Sequence, residues 1–380
     1  MVKLSTKNIS YLIVPVLLVT IFFGCNPDDD GEPTNPNDPN IVCEVIPGSG
    51  TPYEFQKPYF FPEPSLPTYN PMTEEGIALG RKLFWDEQLS RNNAVSCGSC
   101  HAPAHAFADN VAGSVGLYGE LTPRNSMALI NLAWNNTFFW DGRVLTLEEQ
   151  IASPIHNPIE MDMDWATTVA RVKADEGYPQ MFAAAFGNDC VDTLRISYAI
   201  AQFMRTMVSA NSRFDQAYYY GGTPLSPSEI RGMELFLAEG GDPNVYVGGQ
   251  NGGDCFHCHG GSFVQFTDHQ FHNNGLDSVF TDLGREEVTG LPYDRGLFKT
   301  PTLRNIALTA PYMHDGRFQT LHEVVEHYNT GGHLTQTLDP LMKFPNVGLG
   351  LSEQDIDDLV SFLETLTDTS FVNNPNFRKP

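Results

Sequence analysis

The chain has 380 residues, which suffices for two domains of ordinary size or for one large domain. Hydrophobic residues make up 41% of it, a normal share for a globular protein, so a chain that is disordered throughout is excluded. Acidic residues outnumber basic ones by 46 to 22, and the net charge of −24 argues against nucleic acid as a partner, because phosphate binding needs clustered lysine and arginine. The acidic balance suits a docking partner with a basic face, or it serves solubility alone.

Residues 1–24 have the layout of a lipoprotein-type signal peptide, with two lysines ahead of an apolar run over 9–23 that is short for a membrane span. Cys25 follows a small residue, as at the site where bacterial lipoproteins are cleaved and acylated. We therefore expect a protein of the periplasm or cell envelope that touches a membrane only through a lipid anchor at Cys25. A simple cleaved signal is the alternative. The next segment, NPDDDGEPTNPNDPN, predicts a flexible tether, so residues 25–59 are assigned as tether and N-terminal extension.

The seven cysteines fall into three groups. Cys25 is assigned to the lipid, and four others belong to a repeated motif. Cys43 and Cys190 remain, an even pair in an exported chain, so we expect a disulfide between them, with free buried thiols as the alternative.

The pattern CxxCH occurs twice, as CGSCH at residues 97–101 and as CFHCH at residues 255–259. Two thiols one helical turn apart can form thioethers to both vinyl groups of one haem, and the following histidine then lies under the iron as its proximal ligand. A zinc site needs two further ligands at matching spacing, and no second CxxC accompanies either copy. The sequence therefore predicts two covalent c-type haems, held by Cys97, Cys100, His101, Cys255, Cys258 and His259.

The segments around the two motifs also resemble each other, with MTEEGIALGRKLFW before the first and LSPSEIRGMELF before the second. We therefore predict two haem domains related by internal duplication, over residues 60–218 and 224–370. Ser226, Pro227 and Glu229 read as the N-cap, first-turn proline and capping-box acid of a new helix after the joint. Strand-like alternation is scarce, so the predicted fold is all-α, a cytochrome c-like domain twice over.

The motifs SCGSCH, PRNS, FWDGRVLTLEEQ, PIHNPIEM, FKTPTLRNIALTAPYMHDGR and EVVEHYNTGG follow one another over residues 60–370. In order and spacing they resemble those of the bacterial dihaem cytochrome c peroxidases and their MauG-type relatives. The resemblance implies that the amino-terminal haem reacts with hydrogen peroxide. It also implies that the carboxy-terminal haem receives electrons and passes them on.

The resemblance assigns roles to three residues that carry no such signal alone. Glu160 in NPIEM matches the distal glutamate, where a carboxyl group can move a proton between the peroxide oxygens. Gln150 in LEEQ matches the distal glutamine that helps to position peroxide. Trp140 in FWDGR matches the tryptophan between the haems and would serve as an electron bridge. Without the resemblance, the first two would be solvated or capping residues, and the tryptophan would belong to the core.

The family also holds a calcium ion between its domains. Asn125 in PRNS matches the side-chain ligand of that ion, and Thr309 and Pro311 fall where backbone carbonyls complete the site. Ligation by oxygen alone suits calcium. The resemblance therefore implies one calcium ion in addition to the haems.

At the first haem the chain departs from the peroxidases that need reductive activation. Those enzymes carry a distal histidine sixteen residues after the proximal one, and counting from His101 reaches Leu117. Leucine cannot bind iron, so this haem is expected to be five-coordinate or water-bound, as in MauG-type members. His105 follows the proximal ligand too closely to replace the missing histidine.

At the second haem, Tyr328 in VEHYNTGG takes the place of the usual distal methionine, as the tyrosine ligand does in MauG. A phenolate ligand favours ferric and higher oxidation states and would lower the reduction potential. Met313 and His327 are rival ligands, and an unligated core tyrosine is a further alternative. The remaining histidines, among them His269, receive no role, although His314 is the repeat counterpart of Trp140.

Three functions remain open. The leading one is an envelope peroxidase that reduces hydrogen peroxide, with electrons from a small cytochrome c or a copper protein. The second is a MauG-like enzyme that oxidises side chains of a partner protein. The third is an electron carrier without catalysis, which would need a sixth protein ligand on each iron. A homodimer is compatible with all three.

Overall fold

A computed structural model describes four ranges of the chain: residues 43–44, 49–241, 251–260 and 263–380. The predicted signal peptide 1–24, the acylation site Cys25 and the tether sequence up to residue 42 lie outside them. Within the described ranges, no helix has both the length and the apolar character that a membrane span requires.

The fold is mostly helical, with short helices joined by long irregular segments. Thirteen α-helices occur in the described part of the chain: α1 (Glu74–Phe84), α2 (Cys97–Cys100), α3 (Leu147–His156), α4 (Trp165–Ala174), α5 (Tyr178–Phe186), α6 (Thr193–Arg205), α7 (Arg213–Tyr218), α8 (Pro227–Leu237), α9 (Phe256–His259), α10 (Glu286–Thr289), α11 (Leu321–Thr330), α12 (Glu353–Glu364) and α13 (Thr369–Val372). Short 3₁₀ helices lie at Glu87–Leu89, Pro103–His105, Leu132–Trp134, Pro292–Asp294, Ile306–Leu308 and Pro375–Phe377.

One small sheet departs from the all-α prediction. Strand β1 (Phe271–His272) pairs antiparallel with β2 (Phe298–Lys299). Each strand has only two residues, too few for an alternating pattern to be recognisable in the sequence. The prediction of a mostly helical chain is confirmed. The all-α prediction is wrong only in that it did not include this two-stranded sheet.

The helix starts follow from local sequence. The Ser226 hydroxyl accepts a hydrogen bond from the Glu229 amide at 3.3 Å, and the Glu229 carboxylate accepts one from the Ser226 amide at 2.6 Å. Pro227 occupies the first turn of α8, as predicted. The helix α12 ends at Glu364, and the Thr365 amide donates to the carbonyl oxygens of Phe362 and Leu363.

Glycine sets the spacing between the paired helices. A Cβ atom on Gly80 of α1 would lie 1.8 Å from the carbonyl oxygen of Ala199 in α6. A Cβ atom on Gly232 of α8 would lie 1.9 Å from the carbonyl oxygen of Asp358 in α12. Each helix pair therefore packs backbone against backbone, and any larger residue would force it apart.

Two hydrophobic clusters form the core. The first is built from α1 and α3 to α6, and its fully buried members include Leu79, Ile155, Phe182, Ile196 and Ile200. The second is built mainly from α8, α11 and α12, with fully buried Leu235, Phe236, Phe362 and Leu366 at its centre. The chain returns to the first cluster at its end, where Phe371 and Phe377 pack against Phe107.

A buried ion pair joins Asp215 of α7 to Arg304, which lies just before the 3₁₀ helix Ile306–Leu308. The Arg304 guanidinium contacts the two Asp215 carboxylate oxygens at 2.8 and 3.0 Å, and both side chains are fully buried. Arg304 also donates to the carbonyl oxygen of Val264 at 2.6 Å. Such a pair is costly to break, because either charge would remain buried without its partner.

The predicted disulfide between Cys43 and Cys190 is present, with the two Cα atoms 6.0 Å apart. The Cys43 amide also donates to the carboxylate of Asp192, the N-cap of α6, at 2.8 Å. The disulfide therefore links Cys43 covalently to Cys190, just before the start of α6.

Several local features occur twice in the same order. Asn131 and Asn305 both have left-handed backbone, with φ of 56° and 59°, and each precedes a 3₁₀ turn. An isolated antiparallel bridge follows in each part: Phe138 with Val144, and Tyr312 with Phe318. The local geometry therefore agrees between residues 131–144 and residues 305–318.

Candidate functional site

The first CxxCH motif forms a single helical turn followed by a fixed histidine. His101 follows α2 directly, and its Nδ1 lies 2.7 Å from the carbonyl oxygen of Phe107. A carbonyl can only accept, so Nδ1 carries the proton and Nε2 is left with its lone pair for a metal. Burial lowers the pKa of His101, which keeps the ring neutral as a ligand must be.

The two thiols of this motif lie in an apolar setting. Burial raises the pKa of Cys97 to about 12 and that of Cys100 to about 11. Between them lies Gly98, where a Cβ atom would come within 2.1 Å of the Trp85 ring. The tryptophan therefore packs directly on the motif helix and holds it in place.

The second motif repeats this arrangement. Cys255 precedes α9, His259 ends it, and the His259 Nδ1 lies 3.1 Å from the carbonyl oxygen of Phe266. The two phenylalanines that supply these carbonyls both have positive φ, 62° at Phe107 and 53° at Phe266. Burial lowers the pKa of His259 to about 4 and raises that of Cys255 to about 12. Each motif thus offers two thiols and one neutral imidazole with a free Nε2.

The second motif opens into a cavity of about 270 Å³. Its wall contains Cys255, Cys258 and His259, together with Tyr328 and Met313. Two thiols, one free imidazole nitrogen and a largely apolar wall are the donor set that a c-type haem requires. The residues of this site therefore fit the predicted haem.

Asn274 joins the two candidate distal ligands of this haem. Its Nδ2 lies 3.2 Å from the Tyr328 hydroxyl and 3.5 Å from the Met313 sulfur. Burial raises the pKa of Tyr328 to about 12, so the hydroxyl keeps its proton unless a metal displaces it. The third candidate, His327, has its Nε2 3.0 Å from the Asn274 carbonyl oxygen, whereas Tyr328 and Met313 line the cavity with His259.

Glu160 lies in the turn that follows α3, close to the first motif. Its carboxylate accepts a hydrogen bond from Asn157 Nδ2 at 2.7 Å, and its charge contributes to the raised pKa of Cys97. Burial raises the pKa of Glu160 above its ordinary value, against the lowering effects of Asn157 and Arg143. Gln150 lies on α3 itself, and its side-chain amide makes no hydrogen bond within the described chain. The turn thus presents a carboxyl group suited to proton transfer.

Leu117 packs beside the turn that carries Glu160. Its amide donates to the carbonyl oxygen of Ile159 at 2.9 Å, and its side chain is buried. A Cβ atom on Gly116 would lie 1.9 Å from the same oxygen, so the two segments are in close contact. His105, by contrast, lies in the 3₁₀ turn directly after the proximal histidine.

Trp140 connects the two motifs through the PRNS segment. Its Nε1 donates to the Asn125 carbonyl oxygen at 2.9 Å, and its own carbonyl oxygen accepts from the Lys299 amide at 2.7 Å. The neighbouring Ser126 hydroxyl lies 3.1 Å from the Cys100 carbonyl oxygen and 3.3 Å from His101 Nδ1. Trp140 also lines the cavity of the second motif. Hydrogen bonds and chain neighbours therefore connect His101 through Ser126 and Asn125 to Trp140, which lines the cavity of the second motif.

The three residues expected at a calcium ion line the same cavity: Asn125, Thr309 and Pro311. Asn125 Nδ2 donates to the carbonyl oxygen of Val111 at 3.0 Å, which fixes the orientation of the amide. The Thr309 hydroxyl is engaged with the Ile306 carbonyl oxygen at 3.2 Å. The structure brings the three residues to one wall, and the ion itself stays a prediction.

Some residues of the site carried no usable signal in the sequence. Asn274 and Lys299 line the cavity and contact other site residues, as do His269 and His272 in the same wall. His314, the repeat counterpart of Trp140, also lines this cavity and stacks on Phe298 at 3.7 Å between ring centroids.

Comparisons with known proteins agree with this geometry. The sequence profile of the family described as di-haem cytochrome c peroxidase matches residues 74–222. The methylamine utilization protein MauG of Methylorubrum extorquens is 37% identical over 318 residues, which cover 82% of this chain and 83% of that protein. The cytochrome c551 peroxidase of Nitrosomonas europaea is 33% identical over 312 residues, covering 82% and 84%.

This chain is similar to one solved structure over almost the whole length of that structure. It is that of a MauG-like protein associated with microbial copper homeostasis, which is 36% identical, with a TM-score of 0.77 and coverage of 86% of this chain and 99% of that one. Sequence, donor set and fold agree with the resemblance seen in the motifs. The chain therefore belongs to the family of di-haem cytochrome c peroxidases and MauG-type enzymes, and it is an oxidoreductase with two c-type haems.

Proposed function

We propose that this enzyme reduces hydrogen peroxide to water at the haem of the first motif. Electrons would enter through the haem of the second motif, from a small cytochrome c or a copper protein. The observation that carries the proposal is Leu117, an apolar side chain packed beside the turn of Glu160. Leucine has no atom that can bind iron, so nothing at this position would exclude peroxide.

The side chains near the first motif suit the proton transfers of this reaction. Hydrogen peroxide, two electrons and two protons give two molecules of water, and a haem held by this motif supplies the redox chemistry when bound. Glu160 would take a proton from one peroxide oxygen and return it to the other, which leaves as water. Asn157 holds the carboxyl group in place, and the free amide of Gln150 would orient the peroxide.

Electron delivery would use the route through Trp140. A small redox protein delivers one electron at a time, so two transfers are needed for each peroxide. The bonds from Trp140 to Asn125 and Lys299, and from Ser126 to His101, support this path. Each bond keeps two neighbouring groups in contact and so shortens the gaps that an electron must cross.

A MauG-like oxidation of a partner protein is the second candidate. Tyr328 favours it, because a phenolate at the second haem would stabilise the higher oxidation states that such chemistry needs. Two of the similar proteins carry MauG in their descriptions. An electron carrier without catalysis is less well supported, because it needs a sixth protein ligand where Leu117 lies.

We also propose the finer features expected from the sequence. The twice-repeated turns and helix pairs support an internal duplication, with domains over residues 60–218 and 224–370. The disulfide supports export, since such bonds persist in oxidising compartments. Lipid anchoring at Cys25 in the cell envelope, one bound calcium ion and a homodimer complete the proposal.

A steady-state assay separates the two enzymatic candidates. Purified holoenzyme is mixed with a reduced small cytochrome c, and cytochrome oxidation is followed on addition of hydrogen peroxide, with a matched reaction that lacks peroxide. We expect repeated turnover in which two cytochromes are oxidised for each peroxide. Absence of turnover in an enzyme that still consumes peroxide would favour the MauG-like candidate. A resting ferric spectrum without a high-spin component would favour the carrier.

A further inference from the structure

Lys299 is a buried lysine without a counter-ion among the described residues. The residue is 3% exposed, and its Nζ donates to the carbonyl oxygen of Thr137. Within the described residues, no carboxylate lies within 4.0 Å of this nitrogen. A buried ammonium group is strongly unfavourable unless an anion lies nearby. Burial alone lowers the pKa of Lys299 to about 8, and no carboxylate counters that effect.

Two further nitrogen atoms of the same cavity lining lack a partner. His269 Nδ1 and Gln265 Nε2 are buried and make no hydrogen bond within the described residues. Burial lowers the pKa of His269 to about 4, and the nearby charge of Lys299 adds to that effect. The Lys299, His269 and Gln265 nitrogens therefore belong to one cavity lining, and none of them is bonded to a carboxylate of the described residues.

The carboxylates that do line this cavity are already paired. Asp339 lies 2.6 Å from His272 Nδ1, and Asp254 lies 3.0 Å from Lys343 Nζ. Neither is bonded to Lys299. An anion that pairs with Lys299 would therefore come from the group that fills the cavity.

A haem attached to Cys255 and Cys258 brings such an anion. The porphyrin uses its two vinyl groups for the thioethers and keeps two propionate carboxylates free at its opposite edge. We propose that Lys299 binds a propionate of this haem, with His269 and Gln265 as further donors. The inference rests on haem attachment at the second motif and does not require peroxide to be the substrate.

This contact would also fix the haem relative to Trp140. The Lys299 amide donates to the Trp140 carbonyl oxygen at 2.7 Å, and its side chain reaches the carbonyl of Thr137 in the same segment. Lys299 is therefore a positioning residue that joins the haem edge to the electron route. A cation at that edge favours the reduced haem, which has one positive charge less, and so raises the reduction potential.

The experiment compares the holoenzyme with Lys299→Met, Lys299→Arg and the control Lys379→Met. Lys379 is a surface lysine whose side chain is 65% exposed, and it does not line the cavity. We measure covalent haem content, the reduction potential of each haem by spectroelectrochemistry, and the propionate bending bands by resonance Raman spectroscopy. In Lys299→Met we expect a lower potential and shifted propionate bands at the second haem only. Lys299→Arg should keep the reduction potential and the propionate bands close to those of the wild type, and the control Lys379→Met should match the wild type in both.

Unchanged potential and unchanged propionate bands in Lys299→Met, with both haems attached, would overturn the inference. If Lys299→Met does not fold or attach haem, a crystal structure of the wild-type holoenzyme decides. A Lys299 Nζ within about 4 Å of a propionate oxygen supports the inference, and a greater distance from both propionates contradicts it. Loss of peroxide turnover plays no part in this decision, so a failure of the proposed function would be recognised separately.

Discussion

Replacing Glu160 by glutamine removes one proton-transfer group and keeps the size of the side chain. The amide oxygen can still accept the hydrogen bond that Asn157 Nδ2 now makes to the carboxylate at 2.7 Å. Burial raises the pKa of Glu160, so the wild-type protein already bears a cost for the ionised group that glutamine avoids. We therefore expect a variant that folds, retains both haems and fails at the proton transfer.

The expected loss follows from the usual strength of general acid–base catalysis. A positioned acid–base group contributes roughly 10²–10⁴-fold to a rate. That factor corresponds to about 2.7–5.4 kcal/mol of transition-state stabilisation. The pH profile gives a second signature. Below its raised pKa Glu160 is protonated and cannot accept the first proton, so the wild-type rate falls on the acid side at a higher pH than an exposed glutamate would cause. The glutamine variant should lack this fall.

The assay must isolate the step with peroxide, because electron delivery can limit the steady-state rate. Stopped-flow mixing of the holoenzyme with excess hydrogen peroxide, followed at the haem bands, measures that step directly. The matched control is Glu149→Gln, the same substitution at an exposed position on α3. A Glu160→Gln variant that reacts within about tenfold of the wild type, with both haems attached, would refute the acid–base role.

Three further changes test other parts of the structure. Leu117→His should place a ligand beside the Glu160 turn, convert the resting first haem to a low-spin form and slow its reaction with peroxide, as seen by absorption and electron paramagnetic resonance. Tyr328→Phe should alter the spectrum and raise the potential of the second haem alone; an unchanged spectrum would leave Met313 as the ligand. Asp215→Ala should lower the free energy of unfolding by about 3–5 kcal/mol in urea titrations, because Arg304 is left buried without its partner. A loss below about 1 kcal/mol, the value expected for an exposed pair, would contradict this reasoning.

The sequence predicted what depends on short-range spacing. Cys97, Cys100 and His101 share one helical turn and its end, so the motif alone defines a site, and the capping box at Ser226 defines a helix start in the same way. The disulfide between Cys43 and Cys190 followed from counting cysteines in a chain that we expect to be exported. These features need no knowledge of which distant segments meet.

What the sequence did not predict depends on contacts between distant segments. The two-residue strands β1 and β2 form only because residues 271–272 and 298–299 meet beside the second cavity. Asn274 contacts Tyr328, which is 54 positions away in the sequence, and Met313, which is 39 positions away. No local sequence pattern marks Asn274 as a residue of the site. The unpaired state of Lys299 is likewise invisible in a sequence, because it depends on where every carboxylate lies after folding.

The two CxxCH sites hold their histidines in the same way and differ in their candidate distal groups. In each, a histidine Nδ1 is held by the carbonyl oxygen of a phenylalanine with positive φ, so this side cannot distinguish their roles. The candidate distal groups differ, with Leu117 beside Glu160 in one site and Asn274 joining Tyr328 to Met313 in the other. A peroxidase and a MauG-type enzyme would both use the first site, which we expect to be open. Their difference must then lie in how strongly the second haem holds a high oxidation state, and the potential of that haem, with and without the Tyr328 hydroxyl, is the quantity that decides between them.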